Sequence, residues 1–208
     1  MTNNIIKTKL KNSCQFILIG LLICSFTSLK QNEDYTDNEK KNANTATNTE
    51  FMSSIEKEVI YLINLCRINP KKFLDVFVEN SNYIKENTYF INKSPKYLSS
   101  LKSTLKALKP MNALNPDKEL YEMALCLAKQ QEKTGDIGHN RKKCPIGYYG
   151  ECCSYGMKDA EGIVMQLLVD LDVPSLGHRK ILLGDYSLIG VSIKGHKKYD
   201  NCAVLDLK

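Results

Sequence analysis

Most of the chain after residue 52 shows the helical spacing of apolar residues, and its C-terminus has the pattern of one β-hairpin. Residues 187–194 and 202–207 are rich in β-branched and apolar residues and flank a polar turn at 195–201. Five helices are predicted before the hairpin. They begin at Ser53, at Asn69-Pro70, after Pro95, at Asn115-Pro116 and at Asp159. These patterns predict an α+β fold in which helices flank a small antiparallel sheet.

Two of these helices lead directly into a glycine-histidine pair. The helix that opens at Asn115-Pro116 stops at Gly135 and is followed by Gly138-His139. The helix that begins at Asp159 is ended by the Val173-Pro174 step and is followed by Gly177-His178. Loops carried on rigid helices are common places for functional side chains, so both histidines are candidates.

The N-terminus has the order of an export signal. Lys7, Lys9 and Lys11 precede an apolar run at 16–23, and the chain then becomes polar. We predict a signal peptide or lipoprotein signal over residues 1–29. Cys24 at the end of the apolar run is a candidate for lipid modification, and simple secretion or an uncleaved signal anchor is the alternative. Residues 30–52 are polar and mixed in charge, which predicts a disordered linker before a domain at 53–208.

The composition is that of a soluble globular protein, with 43% hydrophobic and 25% charged residues. The formal net charge is +6, but the lysines are spread along the chain. No groove-reading motif or array of aromatic and basic residues accompanies them, so we expect no nucleic-acid partner.

Six of the eight cysteines follow residue 52, an even number that suits an oxidising compartment. They are Cys66, Cys126, Cys144, Cys152, Cys153 and Cys202. Cys152 and Cys153 cannot easily pair with each other, because neighbouring Cα atoms lie only about 3.8 Å apart. We expect disulfides or buried thiols, with the pairing left open. No cysteine pair has zinc-finger spacing, so a structural zinc module is not expected.

The side chains that can do chemistry fall in the helix-ending loops and in the segment between the two clear helices. They are His139, Glu151, Asp170 or Asp172, and His178. Helical phase alone does not choose between the two aspartates, since each lies beside apolar residues of the same helix. His196 lies between polar residues and is predicted to be a solvated loop residue outside the site.

The order of these residues resembles the CAP superfamily of cysteine-rich secretory proteins (SCP domains). The resemblance spans about residues 55–207. It is carried by Gly138-His139, Gly150-Glu151 and Gly177-His178-Arg179-Lys180-Ile181-Leu182, with Leu62-Ile63-Asn64, Arg67-x-Asn69-Pro70, Leu114-Asn115 and Ile189-Gly190-Val191 around them. It implies an α-β-α sandwich whose cleft holds two histidines and two acidic residues.

Carried across by motif, His139 and His178 match the two family histidines and Glu151 matches the glutamate of the Gly-Glu-Asn segment. Asp170 matches the second acidic position, where aspartate replaces the usual glutamate. Cys152 stands where the family has asparagine. The resemblance therefore favours Asp170 over Asp172.

Two imidazoles and two carboxylates in one cleft have two chemical interpretations. They can form a divalent-metal site, with His139, Glu151, Asp170 and His178 as ligands and zinc as the candidate ion. Alternatively, Glu151 orients one histidine and Asp170 the other, which fixes the loops on the sheet without metal. No nucleophile is placed beside a base, so no catalytic residue is assigned.

The resemblance implies an extracellular binding module, secreted or held at the cell surface by its N-terminal segment, with a lipid or sterol as candidate partner. A metal-dependent hydrolase is the first alternative, for which the cleft would need a metal-bound water and a carboxylate base. A surface adhesion protein is the second. The sequence leaves the oligomeric state open.

Overall fold

The computed structural model describes residues 35–80, 95–146 and 150–208. The predicted export signal lies outside these residues. The described part contains α1 (Asp37–Ala43), α2 (Ser54–Ile68), α3 (Pro70–Phe73, continued by a π-helix at Leu74–Glu79), α4 (Pro95–Ala107), β1 (Asn115–Pro116), α5 (Lys118–Thr134), β2 (Gly150–Tyr155), α6 (Ala160–Val169), α7 (Gly177–Leu182), β3 (Leu188–His196) and β4 (Asp200–Leu207). None of its helices is long and apolar enough to cross a membrane.

The sheet has the strand order β1-β3-β4-β2. The hairpin β3–β4 and the pair β2–β4 are antiparallel, which agrees with the predicted sheet. The two-residue strand β1 instead pairs parallel with β3, so the sheet is mixed. This short pairing arises where the chain enters α5, because Asn115 and Asp117 donate to the carbonyls of Ser187 and Ile189, each at 2.9 Å.

Helices cover both faces of the sheet, which confirms the α+β class and the layered arrangement. Helix α5 packs on one face, where Ala124, Leu127 and Ala128 meet Cys202 and Val204. The larger core lies on the other face and is built from α2, α6 and the opposite side chains of the strands. Gly190 allows α5 to approach closely, because a Cβ there would lie 2.1 Å from the backbone nitrogen of Tyr121.

Several helix boundaries follow the predicted capping signals, but α5 begins later than predicted, because Asn115–Pro116 forms β1 and Asp117 is the N-cap. Ser53 and Glu56 form a capping box at the start of α2, and Asp159 accepts a hydrogen bond at the start of α6. Gly135 ends α5 with a positive φ of 71°. Helix α6 stops earlier than predicted, because Asp170 adopts the left-handed conformation with φ of 58°.

The predicted disordered linker at 30–52 is wrong from Tyr35 onward. Residues 35–52 contain α1 and place Tyr35, Ala43 and Met52 in the core, each less than 7% exposed. The hydroxyl of Tyr35 donates to the carbonyl of Leu65 at 3.2 Å, and Asn64 donates to the carbonyl of Ala43 at 3.0 Å. A few well-spaced apolar residues are enough here because α2 offers a surface on which they pack.

Arg67 ties the beginning of the domain to its end from a fully buried position. Its guanidinium donates to the carbonyls of Asn112, Leu182, Gly184 and Tyr186 at distances between 2.8 and 3.0 Å. Burying a guanidinium is tolerated because every nitrogen finds an acceptor.

Candidate functional site

The structure brings all four predicted site residues together around the edge strand β2. His139 follows α5, Glu151 lies on β2, Asp170 ends α6 and His178 lies in the first turn of α7. The two imidazole rings lie 6.2 Å apart, centroid to centroid, with an interplanar angle of 38°. Each ring contacts one carboxylate, so the cleft consists of two histidine-carboxylate pairs.

In the first pair, Nδ1 of His139 lies 2.6 Å from Oε1 of Glu151. This contact raises the pKa of His139 above its ordinary value, although the side chain is 55% exposed. Burial alone would raise the pKa of Glu151, but the hydrogen bond from His139 and the charge of Arg141 together lower it. Glu151 is therefore an anion that accepts from both neighbours.

Arg141 joins Glu151 to a further buried carboxylate, that of Asp206 on β4. Its Nε donates to Oε2 of Glu151 at 2.6 Å, and its Nη2 contacts both oxygens of Asp206 at 2.7 and 2.6 Å. The Nη2 atom also forms an ion pair with Glu151. Burial raises the pKa of Asp206 to about 6, against the opposing charge of Arg141.

In the second pair, Nδ1 of His178 lies 2.7 Å from Oδ1 of Asp170, whose side chain is 1% exposed. The other oxygen of Asp170 accepts from the backbone nitrogen of Arg179 at 3.3 Å. The buried guanidinium of Arg179 donates to the carbonyls of Leu168 and Val169 at 2.6 and 2.9 Å, and thereby holds α7 against the end of α6. Asp172 is exposed, so the carboxylate partner of His178 is Asp170.

The loop that carries His139 is fastened to α5 along its length. Gln131 donates to the carbonyl of Gly138 at 2.6 Å, and the disulfide Cys126–Cys144 joins the far end of the loop to the middle of α5. From the sheet, the hydroxyl of Tyr155 accepts a hydrogen bond from the backbone nitrogen of Gly138 at 2.7 Å. These contacts fix the position of the His139 backbone relative to β2.

Gly150 sets the position of Glu151 at the start of β2. A Cβ at residue 150 would lie 2.5 Å from Cγ2 of Ile181 and 3.2 Å from the ring of Tyr186. Only glycine lets β2 and α7 approach this closely, which brings Glu151 and His178 into the same cleft. The glycine before Glu151 thus has a steric reason.

Four of the predicted domain cysteines are buried thiols: Cys66, Cys152, Cys153 and Cys202. Cys153 lies nearest the site, with its Sγ 3.9 Å from Nδ1 of His139. Burial raises the pKa of Cys153 to about 12 and that of Cys152 well above its ordinary value, so neither is a thiolate at neutral pH. Neither thiol is therefore an activated nucleophile.

The prediction that His196 is a solvated loop residue is wrong, because it ends β3 and is only 5% exposed. Its Nε2 lies 2.9 Å from the carbonyl of Asp136, and its Nδ1 accepts from the backbone nitrogen of Lys198 at 3.2 Å. The ring packs against the rings of Tyr155 and Tyr199. Alternation along β3 turns His196 inward, despite the polar residues beside it.

Sequence reasoning did not identify Arg141 and Asp206 as members of the cluster. One signal was present, since Asp206 interrupts the apolar run of β4, where a charge needs a partner. Arg141 follows His139 by two residues in a loop whose course the sequence does not specify. Its contact with β4 depends on tertiary structure.

The hydrogen bonds leave one nitrogen of each imidazole facing away from its carboxylate. An ionised carboxylate only accepts, so Nδ1 carries the proton in the neutral form of both His139 and His178, and Nε2 keeps its lone pair. Within the described residues, neither Nε2 makes a hydrogen bond. Tetrahedral zinc bound to both Nε2 atoms would place the two ring centroids about 5.2 Å apart, given a Zn–N bond of about 2.0 Å. The observed separation is 6.2 Å, so the exposed ring of His139 would have to move about 1 Å towards His178 for the two rings to share an ion.

A second possible donor group is formed by His139, Glu151 and Cys153, whose ligand atoms lie within 4.8 Å of one another. Arg141 contacts Glu151 there, and its positive charge opposes a cation. The buried thiol would also have to lose its proton. The alternative position lies between the two histidine rings, where neither Nε2 lone pair is used by a hydrogen bond of the described residues and the carboxylates would be outer partners.

Comparisons of the chain with family models, with curated proteins and with solved structures returned no match. The resemblance to the CAP superfamily therefore stays a prediction from the motifs.

Proposed function

We propose that the chain is an exported, CAP-like binding module whose cleft holds one divalent metal ion between His139 and His178, with zinc as the candidate ion. The observation that carries this proposal is the pair of imidazoles 6.2 Å apart, each with Nδ1 held by a carboxylate. Carboxylate-histidine-metal arrangements fix the imidazole tautomer and raise its basicity. Glu151 and Asp170 therefore support the ligands and do not bind the ion directly.

Binding is favoured over catalysis by the way the carboxylates are used. A metal-dependent hydrolase needs a carboxylate free to take a proton from the metal-bound water. Glu151 is instead engaged by His139 and Arg141, and Asp170 by His178 and the backbone of Arg179. We therefore propose that the cleft binds an ion, together with the ligands that complete the coordination of that ion.

Lipid or sterol binding is the second candidate function. An open groove of about 530 Å³ with both polar and apolar walls lies on the domain near the end of α1. Ile68, Pro110, Met111 and Ala113 supply its apolar wall, and asparagines supply polar contacts. A fluorescent fatty acid or sterol probe should respond to the protein, and Met111→Lys should weaken that response. An unchanged response in this variant would place the lipid elsewhere.

Zinc titration of the purified protein by calorimetry tests the metal proposal. We expect one ion per chain, with binding lost in His139→Ala and in His178→Ala. The third histidine of the chain provides the matched control, and His196→Gln should keep the ion. Equal affinity in all three variants would show that zinc binds away from the cleft.

A further inference from the structure

Glu151 and Asp206 lie directly opposite each other on β2 and β4. Residue pairs along two antiparallel strands alternate between those that exchange backbone hydrogen bonds and those that do not. The backbone nitrogen of Gly156 donates to the carbonyl of Asn201, so Gly156 and Asn201 form a bonded pair. Counting back along the register, Glu151 and Asp206 form a pair without backbone hydrogen bonds between them. Side chains approach most closely at such pairs, and like charges placed there destabilise a sheet. Both side chains are largely buried, at 17% and 5% exposure. This position therefore requires a cation.

Arg141 supplies the cation in a fixed orientation. Its Nη1 donates to the carbonyls of Met123 and Pro145 at 2.9 and 3.1 Å, while Nε and Nη2 contact the two carboxylates. The side chain is 5% exposed, and each of its three nitrogens is engaged. A planar guanidinium held at every nitrogen has little freedom to turn.

We propose that Arg141, anchored by Asp206, is a positioning residue for the His139 half of the metal cleft. It holds Oε2 of Glu151 and so leaves Oε1 to accept from Nδ1 of His139, which keeps the proton of the neutral ring on Nδ1 and leaves Nε2 unprotonated. This inference rests on the proposed metal function, but it concerns an arrangement that exists without the ion.

The two halves of the cleft are positioned by different means. Asp170 is fixed by the end of α6 and by the backbone nitrogen of Arg179, with no guanidinium on its carboxylate in the described structure. His139 is 55% exposed, whereas His178 is 21% exposed, so surrounding atoms restrain the His139 ring less. Its orientation therefore depends on Glu151, and the orientation of Glu151 depends on Arg141. Loss of Arg141 should change the orientation of the His139 ring and leave the orientation of the His178 ring unchanged.

The test uses the double variant Arg141→Gln with Asp206→Asn. Asparagine removes the carboxylate that would otherwise face Glu151 without a counter-charge. The readout is the ¹⁵N NMR spectrum of the histidine side chains in the metal-free full chain, which distinguishes a proton on Nδ1 from one on Nε2. We expect His139 to lose its preference for the Nδ1-protonated tautomer while His178 keeps it. Zinc affinity should fall by about 10- to 100-fold, as for other outer partners of metal ligands.

Asp206→Asn alone is the control. The asparagine Oδ1 can still accept from Nη2, and Nη1 keeps the carbonyls of Met123 and Pro145, so Arg141 still holds Glu151 and the tautomer of His139 should persist. An unchanged His139 tautomer in the folded double variant would overturn the proposal. If the double variant does not fold, Arg141→Lys replaces it, because a single ammonium cannot hold both carboxylates as the fork does. An unchanged His139 tautomer there would overturn the proposal equally. A wild-type chain that binds no zinc, but whose His139 tautomer depends on Arg141, would refute the metal function and leave the positioning role supported.

Discussion

The ring of His139 lies 6.2 Å from the ring of His178, although the two residues belong to elements on opposite faces of the sheet. His139 is in the loop fastened to α5, and the carbonyl of His178 contacts the thiol of Cys152, whose side chain lies in the core on the other face. The rings can meet because β2 is an edge strand, beyond which no further strand is paired in the described residues. The cleft is thus built at the border of the sheet.

We predict that Glu151→Gln lowers the pKa of His139 towards its ordinary value. The hydrogen bond to Glu151 is the largest cause of the raised pKa, and its charge adds to it. Histidine titrations followed by NMR would measure the change, with His178 as the reference in the same spectrum. A His139 pKa that stays raised in this variant would contradict the role given to Glu151.

The pH dependence of zinc binding should be set by protonation of the His139 imidazole. Protons compete with the ion for His139, so its raised pKa makes wild-type affinity decrease as pH falls through a range above the ordinary histidine value. In Glu151→Gln this decrease should shift to lower pH, while the affinity at high pH falls because the outer partner is lost. Titrations at several pH values would measure both effects, and an unshifted profile would contradict the account.

Asp206→Asn should remove a pH dependence of stability between about pH 4 and pH 6. Burial raises the pKa of Asp206 from 3.8 to about 6 in the folded state, so the folded protein binds the proton more tightly than the unfolded chain. The stabilising contribution is complete below pH 4 and is lost as pH rises through 6, so the free energy of unfolding should decrease over that interval. The lowered pKa of Glu151 acts in the opposite direction, below its ordinary value of 4.5.

Urea unfolding of the wild type and of Asp206→Asn at pH 4, 5 and 6 would measure this contribution. The difference in free energy of unfolding between the two proteins should change across the series. A constant difference would show that Asp206 does not bind its proton more tightly when folded.

The chain from residue 53 should be less stable than the chain from residue 32, where the compact unit begins. The shorter chain lacks Tyr35, Ala43 and Met52, which are buried against the core. Burial of two large side chains contributes roughly 3 to 6 kcal/mol before the opposing entropy of ordering the segment is counted. Urea unfolding of the two chains measures the difference, and equal midpoints would mean that α1 contributes nothing to the fold.

Local signals were enough to predict the hairpin and several helix ends, whereas α1, α7 and the N-cap Asp117 of α5 were missed. Ser53, Asp159 and Gly135 act through neighbours a few residues away, so their roles are visible in the sequence. Asp170 could be chosen over Asp172 only through the family resemblance, because the choice depends on the left-handed turn that ends α6.

Several features that depend on distant contacts, unlike the four cleft residues, had no signal in the sequence that specified their partners. The contacts of α1 with α2 and of Arg141 with β4 join segments that are far apart in the chain. The pairing of Cys126 with Cys144 likewise depends on the loop returning along α5. In each case the residue types are compatible with several partners, and only the packed structure selects one.

The most direct test of the metal cleft is ¹⁵N NMR of the histidine side chains during stoichiometric addition of zinc. We expect Nε2 of His139 and Nε2 of His178 to shift together and to saturate at one ion per chain, while both Nδ1 atoms stay protonated and His196 is unaffected. Shifts confined to one of the two histidines, or loss of the proton from Nδ1 of His139, would contradict an ion shared between the two rings.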